Sequence, residues 1–250
     1  MTAELWARVR TTVRVLHLGA LVLTLGFSPS TWRTPWRVPL AAQAVRAALP
    51  LLPWFALLAA IVSVVLTRIV LVTAQSYGLS PLALEMVVRV LVIELVPLAA
   101  AFAVALFVTL PMAGELLALR RAGRLEGRAD ALRAEIAPRA LAGCFTVLLL
   151  AAVAGAVALV LAYLMAYGFT PWALSRYTRL VGHIFSPALV TVFALKTLAL
   201  ALAVAVLPIG SALHDRDDAR RPGDVELHGL VRLFLVILAV EVLALAGNYL

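Results

Sequence analysis

Five long apolar stretches, separated by short polar segments, dominate the chain. They are Leu49–Thr73, Val87–Leu110, Leu141–Tyr167, Ala188–Ser211 and Leu230–Gly247. A helix needs about 20 apolar residues to cross the roughly 30 Å hydrocarbon core of a bilayer. The stretches are continuous and do not alternate with polar residues, which argues against a membrane-spanning β-barrel. The pattern therefore predicts an all-α integral membrane protein with five transmembrane helices.

The composition excludes several other classes of protein. The 250 residues are 64% hydrophobic and 14% charged, with a mean hydropathy of +1.05. A soluble domain is about half apolar and about a quarter charged, so neither a soluble globular protein nor a disordered chain fits. A single cysteine, Cys144, excludes an internal disulfide and a cysteine-based metal site.

A shorter apolar stretch, Val15–Phe27, precedes the first span and follows three arginines. It imitates a signal peptide, but no small-x-small cleavage site follows it. We therefore favour an interfacial helix on the cytoplasmic face over a cleaved signal. The next aromatic and basic residues suit the headgroup region, namely Trp32, Arg33, Trp36 and Arg37. This divides the chain into an N-terminal cytoplasmic and interfacial helical segment, 1–48, and a five-helix transmembrane domain, 49–250.

The arginines are distributed unevenly between the two sides of the predicted spans. Residues 1–48, the loop Arg120–Arg139 and the segment 212–221 are rich in arginine. Gln75–Met86 has no basic residue, and Gly168–Pro187 has only Arg176 and Arg179. Basic residues accumulate in cytoplasmic loops, which predicts a cytoplasmic N-terminus and a periplasmic C-terminus. The net charge of +8 is then a consequence of topology and does not indicate nucleic-acid binding.

Six charged residues fall inside the predicted spans; Arg89 and Arg232 lie near span ends, and Arg68, Glu94, Lys196 and Glu241 lie deeper. Counted along ideal helices, these last four lie roughly 8–12 Å below the periplasmic surface. We expect a neutral cluster made of the pairs Arg68–Glu94 and Lys196–Glu241. Charges at this depth are costly, so the cluster either fixes helix packing or serves function. Pro97 and Pro111 are expected to interrupt the second span.

The loop Arg120–Arg139, RRAGRLEGRADALRAEIAPR, mixes both signs of charge. It predicts either a short amphipathic helix that docks on a cytoplasmic partner or a solvated connector. The sequence contains no G-x-x-x-x-G-K-[ST], H-E-x-x-H or G-x-S-x-G motif. We therefore expect neither a phosphate-binding loop for ATP nor an enzyme active site in this chain.

Several segments carry a family resemblance. They are Ile93–Pro97 (IELVP), Gly114–Leu119 (GELLAL), Ala137–Ala142 (APRALA), Leu195–Thr197 (LKT) and Glu241. They resemble the R-E-L-G-P, A-E-L-G-T-M, V-P-R-x-x-A and I-K-S/A motifs and the fifth-span Asp of the MlaE/YrbE permeases of MCE-associated lipid ABC transporters. The chain departs from the family where Ile93 replaces Arg, where Ala105–Thr109 replaces A-G-R-x-G, and in a shortened coupling segment. Glycine loss in the second span is expected to alter either close helix contact or the cavity.

The resemblance implies a permease subunit of an ATP-driven phospholipid transporter in a bacterial inner membrane. The implied partners are an ABC ATPase subunit, a periplasmic MCE-domain protein, a second permease copy and phospholipid. ATP and Mg would be bound by the ATPase, with no cofactor in this chain. The implied lipid pathway contains Arg68, Glu94, Pro97, Lys196 and Glu241. The implied ATPase-coupling residues are Glu115, Arg124, Glu126, Asp130, Leu132, Pro138 and Arg139.

Two alternatives remain open at this point. The chain could be a degenerate structural paralogue that pairs with a typical permease and contributes little transport chemistry. Ile93, Phe107 and the short coupling segment motivate this hypothesis. A membrane anchoring factor without an ATPase is the third possibility, which the spacing of the motifs disfavours.

Overall fold

The computed structural model describes residues 19–20, 24, 34–123, 136–214 and 222–249, and the regular elements within these ranges are all helical. Five helices are long and apolar enough to cross a bilayer. They cover Leu51–Ser76, Leu82–Arg120, Ala137–Tyr167, Pro187–Ala212 and Gly229–Gly247. The prediction of an all-α protein with five spanning helices is confirmed for this part of the chain. The orientation of the termini stays a prediction.

The helices follow one another with short connections. Helix α1 covers Thr34–Ala48 and α2 covers Leu51–Ser76. The second span comprises α3 (Ser80–Val87), a π-helical segment (Val88–Leu95), α4 (Val96–Val104), a second π-helical segment (Ala105–Thr109) and α5 (Leu110–Arg121). Then come α6 (Ala137–Tyr167), a 3₁₀ turn (Pro171–Ala173), α7 (Leu174–Ile184), α8 (Pro187–His214) and α9 (Pro222–Tyr249). The second span extends well beyond its predicted limits, Val87 and Leu110, at both ends.

The second span continues past its prolines because the helix widens just before each of them. The Val96 amide donates to the Leu91 carbonyl, and the Leu110 amide donates to the Ala105 carbonyl, five residues back in each case. Proline lacks an amide proton, and its ring crowds the carbonyl four residues earlier. Single π-helical turns relieve such conflicts and occur often at functional sites. The predicted interruption is therefore a local widening of one continuous helical span.

Helix α6 lies at the centre of the bundle and packs against α1, α2, α4 and α8. Its alanines at every fourth position, Ala154, Ala158 and Ala162, are fully buried. Small residues on one face allow neighbouring helix backbones to approach closely in a membrane, where lipid is as apolar as the side chains. The buried alanines of α6 therefore let the neighbouring helices pack closely around it in the core.

The closest approach in the core involves Gly143 of α6. A Cβ atom added there would lie 2.9 Å from Thr109 Cγ2 and 3.7 Å from Ala205 Cβ. The second span, α6 and α8 therefore meet at a point where only glycine fits without rearrangement. Thr109 stands at the position of the second glycine in the family's A-G-R-x-G motif. Loss of that glycine was expected to change the contact between helices. The room for its methyl group comes from glycine on the facing helix.

The structure describes part of the N-terminal helical segment, 1–48. The predicted interfacial helix Val15–Phe27 lies outside the described residues, apart from Gly19, Ala20 and Thr24. Helix α1 lies within the predicted helical segment 1–48, overlaps the residues assigned to the headgroup region only in its first turn, and has Pro39 inside it. Proline disfavours a helix interior, but packing of α1 on α6, with Ala47 and Ala48 buried, outweighs that preference.

The helices at the margin of the bundle present apolar side chains outward. Helix α9 packs along α8. Its exposed residues include Val231, Phe234, Leu238, Val242 and Leu243. A continuous exposed apolar surface on long apolar helices is the surface that acyl chains or a further membrane helix would cover.

Candidate functional site

Three charged side chains from three different spans meet inside the bundle. Lys196 of α8 donates a hydrogen bond to Glu241 Oε1 of α9, with 2.8 Å between Nζ and Oε1. The same ammonium group donates to Glu94 Oε2, from the first π-helical segment. The Lys196 side chain is only 2% exposed. The predicted contact between Lys196 and Glu241 is therefore present, and we name these three residues the ion cluster.

The predicted Arg68–Glu94 pair is wrong. Glu94 binds Lys196, while Arg68 is exposed on α2. Successive residues on a helix point about 100° apart. Thr67 is buried in the bundle, so Arg68 points away from that packed face. Counting residues located the depth of all four charges, but it gave no information on which face of α2 carries Arg68.

The backbone around Glu94 is unusual for a membrane helix. Glu94 lies near the end of the segment Val88–Leu95, and Pro97 is buried in the first turn of α4. The wide turn precedes Pro97 because proline lacks an amide proton and its ring crowds the preceding turn. A π-helical turn rotates the side chains of residues 88–95 away from the directions that they would have in a regular α-helix. Pro97 therefore acts on the ion cluster indirectly, as a positioning residue for Glu94.

The ion cluster contains one ammonium group and two carboxyl groups. The Glu241 Oε2 atom is buried and accepts no hydrogen bond from the part of the chain that the structure describes. Burying charge is expensive unless partners compensate it, and removal of one partner leaves the others uncompensated. The cluster therefore holds α8, α9 and the second span together through a single side chain, Lys196. The two carboxyl groups keep partial exposure, 22% for Glu94 and 14% for Glu241.

The predicted coupling residues lie at the opposite end of the second span. Arg139 Nη2 lies 4.0 Å from Glu115 Oε2, and Pro138 is buried in the first turn of α6. The other predicted coupling residues lie outside the described residues: Arg124, Glu126, Asp130 and Leu132. The structure thus brings together Glu115 and Arg139 at the base of the 120–139 loop.

One contact at this end was missed by sequence reasoning. Arg120 Nη1 donates a hydrogen bond to the Ala212 carbonyl at 3.2 Å. Ala212 lies in the last turn of α8, where backbone carbonyls lack helical partners, and a cation there is favoured by the helix dipole. Arginine was interpreted only as a topology signal, so its role as a bridge between α5 and α8 was not predicted.

A tyrosine cluster at the far end of α6 was also missed. The ring centroid of Tyr163 lies 5.2 Å from that of Tyr177 and 5.7 Å from that of Tyr167. Tyr177 of α7 donates a hydrogen bond to the Leu159 carbonyl at 2.7 Å. Burial, with a smaller contribution from Tyr167, raises the pKa of Tyr177 to about 12. Tyr163 and Tyr167 lie at the end of the predicted third span, and their position could have predicted an aromatic contact there.

The described residues contain no group of three or more His, Cys, Asp or Glu side chains placed to hold a metal ion. Their chemistry is that of a multi-pass helical membrane protein with a buried ion cluster linking its second, fourth and fifth spans. The chain matches the family described as Permease MlaE over residues 40–246, and it belongs to that family. Family membership makes it a membrane permease subunit. No curated protein sequence matches the chain.

Proposed function

We propose that this chain is the transmembrane permease subunit of an ATP-driven transporter that moves phospholipid between the inner and outer membranes of a bacterium. Membership of the MlaE permease family is the observation that carries this proposal. The matched residues, 40–246, include nearly all of the five spans and the whole ion cluster. The long apolar helices agree with residence in the inner membrane.

An ABC ATPase would dock on the cytoplasmic side at the 120–139 loop and would bind ATP and Mg²⁺. The contact between Glu115 and Arg139 at the base of the loop supports this placement. The hydrogen bond from Arg120 to Ala212 links the loop to α8, the helix that also carries Lys196. Movement imposed at the loop would therefore reach the ion cluster along a single helix.

The lipid pathway would lie between two permease copies, with an MCE-domain protein on the periplasmic side. An arginine facing acyl chains is costly, so Arg68 on the exposed face of α2 favours a polar surrounding at that level. A second copy or a lipid headgroup supplies one. Glu94 and Glu241 are partly exposed at the margin of the ion cluster, where they would form the polar wall of the pathway.

A second candidate function is a structural paralogue that pairs with a motif-complete permease. One observation favours it: Ile93, at the position of the family's arginine, is buried in an apolar contact with Val88 and Ile184. An arginine could not occupy this site without replacing that contact. The chain would then contribute shape and docking, with the transport chemistry in its partner.

The deciding experiment is native mass spectrometry of the tagged full-length chain purified from its own membranes. We expect one complex containing an ATPase, an MCE-domain protein, two permease chains and bound phospholipid. Two different permease chains in the complex would favour the structural paralogue. Absence of any ATPase would overturn both proposals.

A matched variant tests the docking site itself. Residues 124–132 are replaced by a Gly-Ser segment of the same length, which preserves the spacing between α5 and α6. We expect the ATPase to be lost while the second permease chain is retained. An ATPase that still copurifies in full yield would contradict the assignment of the loop.

A further inference from the structure

Helix α7 lies across the end of the bundle where α6 leads into α8. Its two buried residues are Tyr177 and Ile184. Tyr177 contacts Tyr163 and Tyr167 of α6, and Ile184 packs against Val88 and Ile93 of the second span. These two residues attach α7 to the bundle.

The remaining surface of α7 divides into a basic flank and an uncharged outward line. Arg176, Arg179 and His183 are exposed and, at spacings of three and four residues, share one flank. That flank lies roughly a third of a turn from the buried residues. The uncharged line beside it consists of the small residues Ser175, Thr178 and Gly182, and Arg179 at its edge lies as far around the helix from the buried residues as Gly182 does. The segment 168–187 contains no acidic residue.

Two aromatic side chains lie beside this basic flank in the sequence and are almost fully exposed. Phe169 is 90% exposed and Trp172 is 91% exposed. Helix α6 has 31 residues, so at about 1.5 Å per residue it is longer than the roughly 30 Å hydrocarbon core. The end of α6 and the start of α7 therefore reach headgroup level, where aromatic rings are favoured.

We propose that the basic flank of α7 binds the phosphate groups of anionic phospholipids in the membrane surface around it. Phosphate groups at headgroup level carry the charge opposite to this flank, and the exposed Phe169 and Trp172 beside it suit the same level. Arg179 Nε is already held by the Ser175 carbonyl at 3.2 Å, which limits the freedom of the side chain and leaves its two terminal nitrogens for a phosphate. The proposal does not depend on lipid transport, nor on which side of the membrane α7 occupies.

The test measures which lipids stay with the purified protein. The full chain is reconstituted in phosphatidylcholine vesicles containing a minor fraction of phosphatidylglycerol and extracted with a small lipid belt, and the belt is quantified by mass spectrometry. We expect phosphatidylglycerol to be enriched over the vesicle. The double variant Arg176→Gln/Arg179→Gln should lower this enrichment by about fivefold for each arginine removed. Arg176→Lys/Arg179→Lys should retain it, because the interaction depends on charge.

A matched control is Arg89→Gln, an exposed arginine near the same end whose charge is compensated by Glu85. It should leave the enrichment unchanged. The enrichment of the unaltered protein should also fall as salt increases, because exposed charges are screened. Unchanged enrichment in the folded Arg176→Gln/Arg179→Gln variant, or enrichment insensitive to salt, would overturn the proposal. If the same variant, purified from its own membranes, loses an acidic partner protein while its lipid enrichment in vesicles is intact, the flank binds protein, and this would also overturn the proposal.

Discussion

Two glutamates in the first half of the second span lie in opposite surroundings. Glu85 pairs with Arg89 on the same helix at 3.0 Å, and their side chains are 39% and 53% exposed. Glu94, just over two turns further along, pairs with Lys196 of a different helix, and that lysine is almost fully buried. The first pair is local and borders the surface, while the second connects three spans.

The comparison teaches that burial, more than charge, determines what an ion pair does in this protein. An exposed pair gains little, because water already solvates both ions and salt screens them. A buried pair has lost that solvation, so the removal of one partner is costly even where the intact pair adds little net stability. We therefore expect substitutions in the ion cluster to lower the stability of the bundle strongly, and substitutions of Glu85 or Arg89 to change it little.

The largest effect is expected from Lys196→Met. The substitution keeps most of the length of the side chain but leaves Glu94 and Glu241, which are 22% and 14% exposed, without their cation. We expect a loss of about 3–5 kcal/mol in the free energy of unfolding. The free energy is measured by reversible unfolding of the purified protein in detergent, or the change in stability by thermal unfolding. The oligomeric state is measured as a second readout.

A triple variant separates uncompensated charge from lost packing. Lys196→Met combined with Glu94→Met and Glu241→Met should recover much of the stability, because no buried charge remains. A triple variant that is as unstable as Lys196→Met alone would contradict the assigned role of charge in the cluster.

The next largest effect is expected at Gly143, in the crowded contact between α6 and the second span. Gly143→Ala places a methyl group against Thr109 Cγ2 and should destabilise the protein by about 1–3 kcal/mol. Gly114→Ala is the matched control, since nothing lies within 4 Å of the added Cβ atom there. It should be neutral or slightly stabilising in a helix. Rescue of Gly143→Ala by Thr109→Ala, followed by thermal unfolding, would identify the contact, and an absence of rescue would exclude it.

The fold was predictable from the sequence to the extent that it follows from local composition. The four spans other than the second begin and end within four residues of their predicted limits, because apolar runs and polar loops mark those limits directly. The second span was predicted too short, since Pro97 and Pro111 suggested interruption and the π-helical turns that accommodate them have no separate sequence signal. The limits of helix α1 within the segment 1–48 were not predicted, because its stability comes from packing on α6.

The candidate site was predictable in depth but not in direction. Counting residues placed Glu94, Lys196 and Glu241 at one level, where the structure brings them together. The same counting placed Arg68 with them, yet α2 turns Arg68 outward. Which face of an apolar helix points inward depends on its neighbours; in α2 the fully buried Ser63 and Thr67, one turn apart, mark that face, and this signal was not used. The contact between Arg120 and α8 was missed because it joins residues far apart in sequence.

A smaller effect is expected at Tyr177, whose buried hydroxyl contrasts with that of the exposed Tyr77. Tyr177→Phe removes the hydrogen bond to the Leu159 carbonyl and should cost about 1 kcal/mol. Burial raises the pKa of Tyr177 from 10.0 to about 12, so above pH 10 the unfolded chain loses this proton before the folded protein does. The stability contributed by the neutral hydroxyl is therefore complete below pH 10 and declines as the pH approaches 12. Unfolding measured across this range should depend less on pH in Tyr177→Phe and be unchanged in Tyr77→Phe, and equal slopes in all three proteins would contradict the prediction.

The smallest effect is expected from Arg89→Gln, and it tests the exposed side of the comparison. Arg89 and Glu85 are one helical turn apart, exposed on the bundle near the start of the second span, and we expect their long side chains to reach headgroup water, where their attraction is worth about 0.3–0.5 kcal/mol. Loss of the arginine leaves Glu85 able to regain solvation, which it retains in part already. Thermal unfolding of Arg89→Gln and Glu85→Gln should therefore differ little from that of the unaltered protein, and the small difference should disappear in high salt. A cost from Arg89→Gln that approaches the cost of Lys196→Met would show that the local pair is held in a low-dielectric environment, and the distinction between the two glutamates would then fail.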